Sequence, residues 1–226
     1  MAVAGITRES LDERRMESLR PAKPWQPDIL LVRGETGPAV VKDYRPRGFL
    51  YRFFVGIPST WNEARIYRKL SGIEGIPRCY GKLDRYAVVL EYIEGRNASK
   101  VLPGELPHEF FHRLRRIVDA VHERKIVLCD LRNKKNIMIS KNGEPVLIDL
   151  CTAFERGRRW NLLQNWLHGI FYQDDLLGLA KLKRHLAPEL LTPDEAEKLD
   201  RGLFLQNEAV AVRNFCVRWL KQWVSK

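Results

Sequence analysis

The sequence predicts an α+β protein, with a small antiparallel sheet in its N-terminal part and mostly helices in its C-terminal part. Two apolar runs around a glycine-containing turn, 28–33 and 39–43, predict the first strands. A long run with apolar residues at helical spacing, 107–125, predicts the first long helix of the second part. The chain has 226 residues, 45% of them hydrophobic, which is enough to bury a sizeable core. We expect an arm and linker at 1–27, a β-rich unit at 28–92 and a helical unit at 93–226.

The first ninety residues alternate between short runs and turns. Residues 1–20 predict a short charged helix or a frayed arm, and three prolines up to residue 27 predict an extended linker. The turn 34–37 between the first two strands is expected to be a plain hairpin turn. Residues 60–70 predict a helix, because Trp61, Ala64, Tyr67 and Leu70 recur at helical spacing and Ser71-Gly72 follows. Residues 88–92 predict a further strand.

The segment 44–59 interleaves aromatic residues with arginines, and two interpretations stay open. One is contact with a membrane surface or a lipid substrate, because aromatic rings favour the interface and arginines bind phosphate headgroups. The other is an insertion that packs its apolar residues inward, since aromatic stripes usually belong to a core.

The C-terminal half is predicted to be mainly helical. The helix at 107–125 has an apolar face, with its three histidines expected on the solvated flanks. An arginine cluster at 156–159 precedes a helical run through Phe171, and a second run covers 175–185. The tripeptide Ala187-Pro188-Glu189 is interpreted as a loop. A last helix at 208–224 carries an apolar stripe that suits core packing or membrane docking.

The stretch 126–154 is the most informative for function. It contains two short β-like runs, 136–140 and 145–150, joined by a turn with Asn142-Gly143, which supplies the positive-φ positions of a tight hairpin. Asp130 lies before this hairpin, Asn136 is its first residue and Asp149 lies at its far end. The three side chains are therefore expected to converge, an arrangement that can orient a hydroxyl nucleophile and hold Mg²⁺ on a triphosphate.

Several segments together resemble the protein-kinase-like superfamily. An apolar strand ends in Lys42, Glu63 follows twenty-one residues later on a helix, and the strand 88–92 leads on to Glu94-Gly95. Asp130-Leu131-Arg132, Asn136 and Asp149 then follow in the same order as in kinases. The match is closest to the small bacterial RIO-like kinases and the lipopolysaccharide-core (Kdo) kinases, and it covers residues 28–185.

This resemblance implies a two-lobed fold and an ATP- and Mg²⁺-dependent phosphotransferase. Lys42 would pair with the nucleotide phosphates and Glu63 with Lys42, although Thr60-x-x-Glu63 is also a capping box. Asp130 would act on the acceptor hydroxyl. The remaining roles are hinge contacts to the nucleotide by Glu91 and Ile93, and Mg²⁺ ligation by Asn136 and Asp149, with Asn133 as an alternative ligand.

Three departures from the kinase pattern motivate a second hypothesis. The glycine-rich loop is absent, Leu128 and Cys129 replace the usual His-Arg before the aspartate, and Asp149-Leu150-Cys151 lacks the usual glycine. A pseudokinase scaffold that binds a nucleotide or a partner without transfer therefore stays open. Without the arginine, activity is expected not to need activation-loop phosphorylation.

Composition restricts partners and location. The net charge of +11 attracts anionic partners, but no helix-turn-helix, zinc or RNP-like signature indicates specific nucleic-acid binding. The four cysteines form no disulfide framework or zinc motif. The charged N-terminus does not resemble a signal peptide, and no apolar run reaches about 18 residues. We expect a cytoplasmic protein, or one peripheral to the inner membrane face, whose acceptor is protein Ser/Thr or an envelope glycolipid sugar.

Overall fold

The fold was obtained as a computed structural model, which describes residues 4–20 and 23–201. It is a mixed α and β structure with a small antiparallel sheet and several helices, as the sequence predicts for an α+β protein. The strands are β1 Arg15–Arg20, β2 Asp28–Gly34, β3 Gly37–Asp43, β4 Cys79–Lys82, β5 Ala87–Glu91, β6 Gly95–Asn97, β7 Ile126–Val127, β8 Ile137–Ser140, β9 Pro145–Leu147 and β10 Phe154–Glu155. The α-helices are α1 Phe49–Tyr51, α2 Ile57–Lys69, α3 His108–Glu123 and α4 Leu162–Leu186. A π-helical segment, Arg52–Gly56, joins α1 to α2, and residues 193–201 are also helical.

The five N-terminal strands form one antiparallel sheet in the order β1-β2-β3-β5-β4. One face carries alternate residues of β2, β3 and β5, and residues 4–14 cover it by burying Ile6 and Leu11. On the opposite face α2 packs with Ile66, Tyr67 and Leu70, all of them fully buried or nearly so. Because side chains alternate along a strand, Lys42 on β3 projects from this second face.

A single hydrophobic cluster runs from α2 and β5 into the C-terminal half. It includes the apolar face of α3, whose Phe111, Leu114, Val118 and Val121 are buried as the sequence predicts. It continues through Ile137 on β8 and Leu147 on β9 to the second half of α4. Truncating one such side chain, for example Leu114→Ala, removes about 2–5 kcal/mol of stability.

The predicted hairpin is present as β8 and β9, with the turn Lys141–Glu144 between them. Gly143 has a φ of +82°, in the left-handed region that glycine adopts without strain. The second strand is shorter than predicted and ends at Leu147, so Asp149 lies in the loop that follows rather than in the strand. The 34–37 turn is the plain hairpin between β2 and β3.

Three predictions about elements are wrong. Residues 15–20 form an edge strand rather than a helix or arm, with nearly every side chain exposed. The helical runs predicted through Phe171 and at 175–185 are one 25-residue helix, α4, whose first turn is capped by Asn161. Helical structure also begins at Phe49, well before the predicted start at residue 60.

Two predictions concern the C-terminal part of the chain. Ala187-Pro188-Glu189, which the sequence predicts to be a loop, lies in the connection after α4 and is partly a 3₁₀ turn, Pro188–Leu190. The helix predicted at 208–224 lies outside the described residues. Among the described residues, no helix has the length and the apolar character needed to cross a bilayer.

The interpretation of 44–59 as an inward-packing insertion holds for only half of its eight aromatic and aliphatic residues. Tyr44 is buried, and Tyr51, Val55 and Ile57 are half-buried. Four large side chains on α1 and the π-helical segment are instead largely exposed, namely Phe49, Leu50, Phe53 and Phe54.

Candidate functional site

Lys42 lies between two carboxylates, one from the sheet-facing helix and one from the loop after β9. Its Nζ donates to Glu63 Oε1 at 2.5 Å and to Asp149 Oδ1 at 2.8 Å. Glu63 is completely buried and Lys42 is 9% exposed, whereas the side chain of Asp149 is 36% exposed. The predicted ion pair between Lys42 and Glu63 is therefore present, and it connects β3, α2 and the loop at Asp149.

The capping-box alternative for Glu63 is wrong. Helix α2 begins at Ile57, so Thr60 lies inside the helix rather than at its N-cap. The Thr60 hydroxyl is buried and has no hydrogen-bond partner among the described residues. Glu63 instead points into the interior towards Lys42.

The charges in this cluster affect each other strongly. Burial alone would lower the pKa of Lys42, but the carboxylates of Asp149 and Glu63 raise it well above its usual range. Lys42 in turn lowers the pKa of Asp149 from 3.8 to about 2, although burial opposes this shift. For Glu63, burial is the larger effect and raises the pKa, while Lys42 opposes it. The cluster thus contains a permanent cation and, at Asp149, a carboxylate that stays ionised at neutral pH.

Asp130 and Asn136 are joined directly. The Asn136 Nδ2 donates to the Asp130 backbone oxygen and to its Oδ2, both at 3.1 Å. The Asn136 backbone oxygen accepts from Ile148 N at 2.8 Å, immediately before Asp149. The predicted residues Asp130, Asn136 and Asp149 are therefore tied to one another through neighbouring backbone and side-chain contacts.

The geometry separates the two candidate amide ligands. Asn133 is exposed, and its side-chain oxygen already accepts from Lys135 N at 3.2 Å. In Asn136 both side-chain hydrogen bonds are made by the nitrogen, which leaves the oxygen turned away from Asp130. Asn136 consequently fits a cation ligand better than Asn133 does.

The donor set of Asn136 and Asp149 suits Mg²⁺. Magnesium prefers carboxylate and amide oxygens and is usually held by one or two protein ligands together with substrate phosphates. The described residues contain no group of three or more His, Cys, Asp or Glu side chains placed to hold a metal ion. The oxygen donors of Asn136 and Asp149 are of the kind that Mg²⁺ prefers.

Two residues at the site have strained backbone conformations. Asp149 has a φ of +65° and Cys129 a φ of +67°, which are uncommon for residues other than glycine. Such conformations cost about 1–3 kcal/mol each and concentrate at functional sites.

Burial raises the pKa of the Cys151 thiol well above its usual value, so Cys151 is not a thiolate nucleophile.

Sequence reasoning missed Asp175, which positions the loop that carries Asp130. Asp175 lies on α4 and is fully buried. Its carboxylate accepts from Leu128 N at 2.8 Å, from Cys129 N at 3.0 Å, and contacts His122 Nε2 at 3.0 Å. His122 is therefore buried against Asp175, and the expectation that it lies on a solvated flank is wrong. The signal in the sequence was the pair Asp174-Asp175, which is followed directly by the apolar run 176–180 within the helix.

Sequence reasoning also missed Arg20, the last residue of β1. It is paired in register with Ile29 on β2, and Ile29 is paired with Lys42 on β3. The register of β1 shifts between Ser18 and Arg20, and after this irregularity Arg20 pairs with Ile29, so Arg20 and Lys42 project from the same face. The charge of Arg20 also contributes to the lowered pKa of Asp149.

The predicted hinge residues lie at the end of the sheet. Glu91 ends β5, and its side chain accepts from Arg78 N at 2.9 Å, so this carboxylate is turned towards the start of β4. Ile93 is half-buried in the short connection between β5 and β6. Any nucleotide contact by Glu91 would therefore use its backbone rather than its carboxylate.

A cavity of about 810 Å³ adjoins Asp130 on the side of α4. Its wall includes the rings of Phe154 and Phe171, which meet edge to face at 5.6 Å, and the cations Arg132 and Lys181. Arg132 is also 3.4 Å from Asp174. The cavity thus combines apolar ring surface with positive charge next to the Asp130 carboxylate.

Comparison with known proteins adds no assignment: the chain matches no protein-family profile and has no significant similarity to a curated protein.

Proposed function

We propose that the chain is an ATP- and Mg²⁺-dependent phosphotransferase with a two-lobed, protein-kinase-like fold. The observation that carries this proposal is the contact of Lys42 with both Glu63 and Asp149, next to the linked pair Asp130–Asn136. A buried cation, an ionised carboxylate and a second carboxylate beside an open cavity are the groups that phosphoryl transfer requires. The resemblance to RIO-like and Kdo kinases is part of the same proposal.

Each residue has a definite part in the proposed reaction. Lys42 offsets negative charge on the nucleotide phosphates, and Glu63 holds the Lys42 ammonium in place. Asp130 accepts the proton of the acceptor hydroxyl. The oxygen of that hydroxyl forms a bond to the γ-phosphorus, and the bond between the γ-phosphorus and the β,γ-bridging oxygen breaks, which releases ADP. Bound Mg²⁺ neutralises phosphate charge. Asp175 holds the backbone of the loop that presents Asp130.

The acceptor class is protein Ser/Thr or an envelope glycolipid sugar. The cavity beside Asp130 favours an acceptor that carries negative charge near its hydroxyl, because Lys181 lines it together with Arg132, whose guanidinium is also paired with Asp174. Phosphorylated glycolipids and acidic peptides both satisfy this condition.

A pseudokinase scaffold is the second candidate, and one observation favours it. The sequence between β1 and β2, residues 21–27, contains three prolines and no glycine. Proline has no backbone N–H, so this segment offers few donors for gripping phosphate in the way a glycine-rich loop does.

The test is transfer from γ-labelled ATP with Mg²⁺ to a fractionated cell extract, with Asp130→Asn as the matched variant. Wild-type label that disappears in the variant supports transfer, and its partition between protein and glycolipid identifies the acceptor. A general base contributes about 10²–10⁴ in rate. MgATP binding without label in either fraction would favour the nucleotide-binding scaffold. No MgATP binding at all would overturn the phosphotransferase and leave only a scaffold that binds a partner.

A further inference from the structure

An exposed apolar stripe runs along the helical segment that precedes and begins α2. Its members are 48–69% exposed, and they are Phe49, Leu50, Phe53, Phe54 and Trp61. The first four lie at positions i, i+1, i+4 and i+5, and residues three or four apart share one helix face. Trp61 follows two turns later on the same continuous helical segment.

Three rings of the stripe, those of Phe49, Phe53 and Phe54, form a contiguous surface. Phe49 and Phe53 stack with centroids 6.2 Å apart, and Phe53 meets Phe54 edge to face at 5.2 Å. Single exposed apolar residues are ordinary, but contiguous apolar surface marks an interaction site.

The charge that this segment presents is positive. Residues 44–70 contain six cations, namely Arg45, Arg47, Arg52, Arg65, Arg68 and Lys69. The only carboxylate in this range is Glu63, which is completely buried against Lys42. Arg47 pairs with Asp28, and Arg65 and Lys69 pair with Glu155, whereas Arg45 and Arg68 are exposed beside the stripe.

We propose that this stripe docks on the surface of an anionic lipid bilayer. A helix with Phe, Leu and Trp on one face and arginines around it places its rings at the boundary between headgroups and acyl chains. Arginines at the rim then meet lipid phosphates, and each basic residue near such a surface adds binding energy. Asp28 and Glu155, which reach the segment from outside it, are already paired with Arg47 and with Arg65 and Lys69. The exposed Arg45 and Arg68, with no exposed carboxylate within 44–70, therefore select an anionic surface as the occupant.

Vesicle flotation tests this proposal independently of phosphotransfer. Purified protein is mixed with vesicles of phosphatidylcholine alone, or with about one third phosphatidylglycerol, at low and at high salt. We expect flotation with the anionic vesicles only, and loss at about 1 M salt because screening shortens the range of charge interactions. Flotation that is the same on neutral vesicles would contradict the charge argument.

Matched variants locate the surface. Phe54→Ser, 65% exposed, should lower the partition coefficient about tenfold, whereas Leu102→Ser, 71% exposed and outside the stripe, should leave it unchanged. Arg45→Gln should lower it about fivefold. Equal effects of Phe54→Ser and Leu102→Ser would overturn the assignment. Reversible dimerisation without vesicle binding, abolished by Phe54→Ser, would instead make a second copy the occupant and also overturn it.

Arg20 carries a second inference, which rests on the proposed function. Its side chain projects from the sheet face that bears Lys42, two strands away, through the paired row of Arg20, Ile29 and Lys42. Its Nε is buried and has no hydrogen-bond partner among the described residues. The segment that follows it, residues 21–27, contains three prolines, which lack the N–H groups that would bind phosphate.

We infer that the Arg20 guanidinium binds the phosphates of the nucleoside triphosphate in place of a glycine-rich loop. A guanidinium donates several charge-assisted hydrogen bonds in a fixed geometry that matches phosphate oxygens. It would act with Lys42, so that two cations from one sheet face flank the region in front of Asp149.

Calorimetric titration with MgATP and with adenosine tests this role. Arg20→Gln should weaken MgATP binding at least about tenfold, the loss expected for a hydrogen bond to a charged group, and should leave adenosine binding unchanged. Arg15→Gln, exposed on the same strand, should change neither. Unchanged MgATP binding by Arg20→Gln, with a wild type that binds, would overturn this inference alone. A wild type that binds no MgATP would overturn the proposed function and this role with it.

Discussion

Lys42 and Glu63 allow a double-mutant cycle that measures how strongly the buried pair is coupled. Lys42 Nζ lies 2.5 Å from Glu63 Oε1, and neither side chain is appreciably exposed. At an effective dielectric constant of about 20, opposite unit charges about 2.5 Å apart attract by roughly 6–7 kcal/mol. Desolvation costs several kcal/mol for each ion and offsets much of this gain. The net coupling should therefore be about 1.5–3 kcal/mol.

The single variants should differ in cost because Lys42 has two partners and Glu63 has one. Lys42→Met leaves two carboxylates without their cation and should cost about 3–5 kcal/mol. Glu63→Gln keeps the shape and leaves Lys42 paired with Asp149, so it should cost about 1–3 kcal/mol. The double variant should cost less than the sum of the two by the coupling energy.

Urea unfolding followed by tryptophan fluorescence gives the free energies, since the chain has six tryptophans. The control cycle uses Arg115 and Asp119, an i,i+4 pair on α3 whose side chains are 48% and 43% exposed. That exposed pair should show a coupling of about 0.3–0.5 kcal/mol. A coupling between Lys42 and Glu63 no larger than the control value would refute the argument that burial makes this pair strong.

The remaining predictions concern the loop, the metal ligand and one glycine. Asp175→Asn weakens the hydrogen-bond acceptor for Leu128 N and Cys129 N, so it should lower turnover at least about tenfold while nucleotide affinity is kept. Faster amide exchange confined to Leu128 and Cys129 would distinguish this local effect from a general loss of stability. Asp149, with a pKa lowered from 3.8 to about 2, stabilises the fold above pH 3.8, and this stabilisation is lost as the pH falls towards 2. The stability of Asp149→Asn should therefore fall less steeply between pH 3.8 and pH 2 than that of the wild type. An identical acid unfolding transition in the two proteins would contradict the pKa shift. Asp149→Asn should also weaken MgATP binding and transfer together, whereas loss of transfer alone would argue against a role in metal ligation. Gly95→Ala places a Cβ 2.0 Å from the Ile139 carbonyl oxygen and should cost about 1–3 kcal/mol. The control is Gly169→Ala inside α4, where a Cβ meets nothing within 4 Å and the backbone is helical, so it should not destabilise the fold; equal urea midpoints would contradict this.

Local pattern predicted those elements whose burial follows the period of their backbone. Strands β2 and β3, helix α3 and the β8–β9 hairpin have apolar residues at the expected spacing, and all were found within a few residues of the prediction. Strand β1 was missed because its side chains are almost all exposed, so its sequence has no alternation. Asp175 was missed because it acts on backbone groups 46–47 residues away, a contact that only the packing of α4 creates.

The buried cluster around Lys42 is compatible with both a nucleotide-binding scaffold and an active enzyme, whereas the loop at Asp130 distinguishes between them. The contacts of Lys42 with Glu63 and Asp149 connect the sheet, α2 and the β9 loop, so a nucleotide-binding scaffold and an active enzyme would both keep them. Asp130 is different for two reasons. It lies beside an open cavity, and its neighbour Cys129 has a strained backbone that Asp175 holds in place by a hydrogen bond from Cys129 N. Strained backbone of this kind concentrates at functional sites. Selective loss of transfer in Asp130→Asn, with MgATP affinity intact, is therefore the result that separates the two functions, whereas loss of nucleotide binding in Lys42→Met fits both.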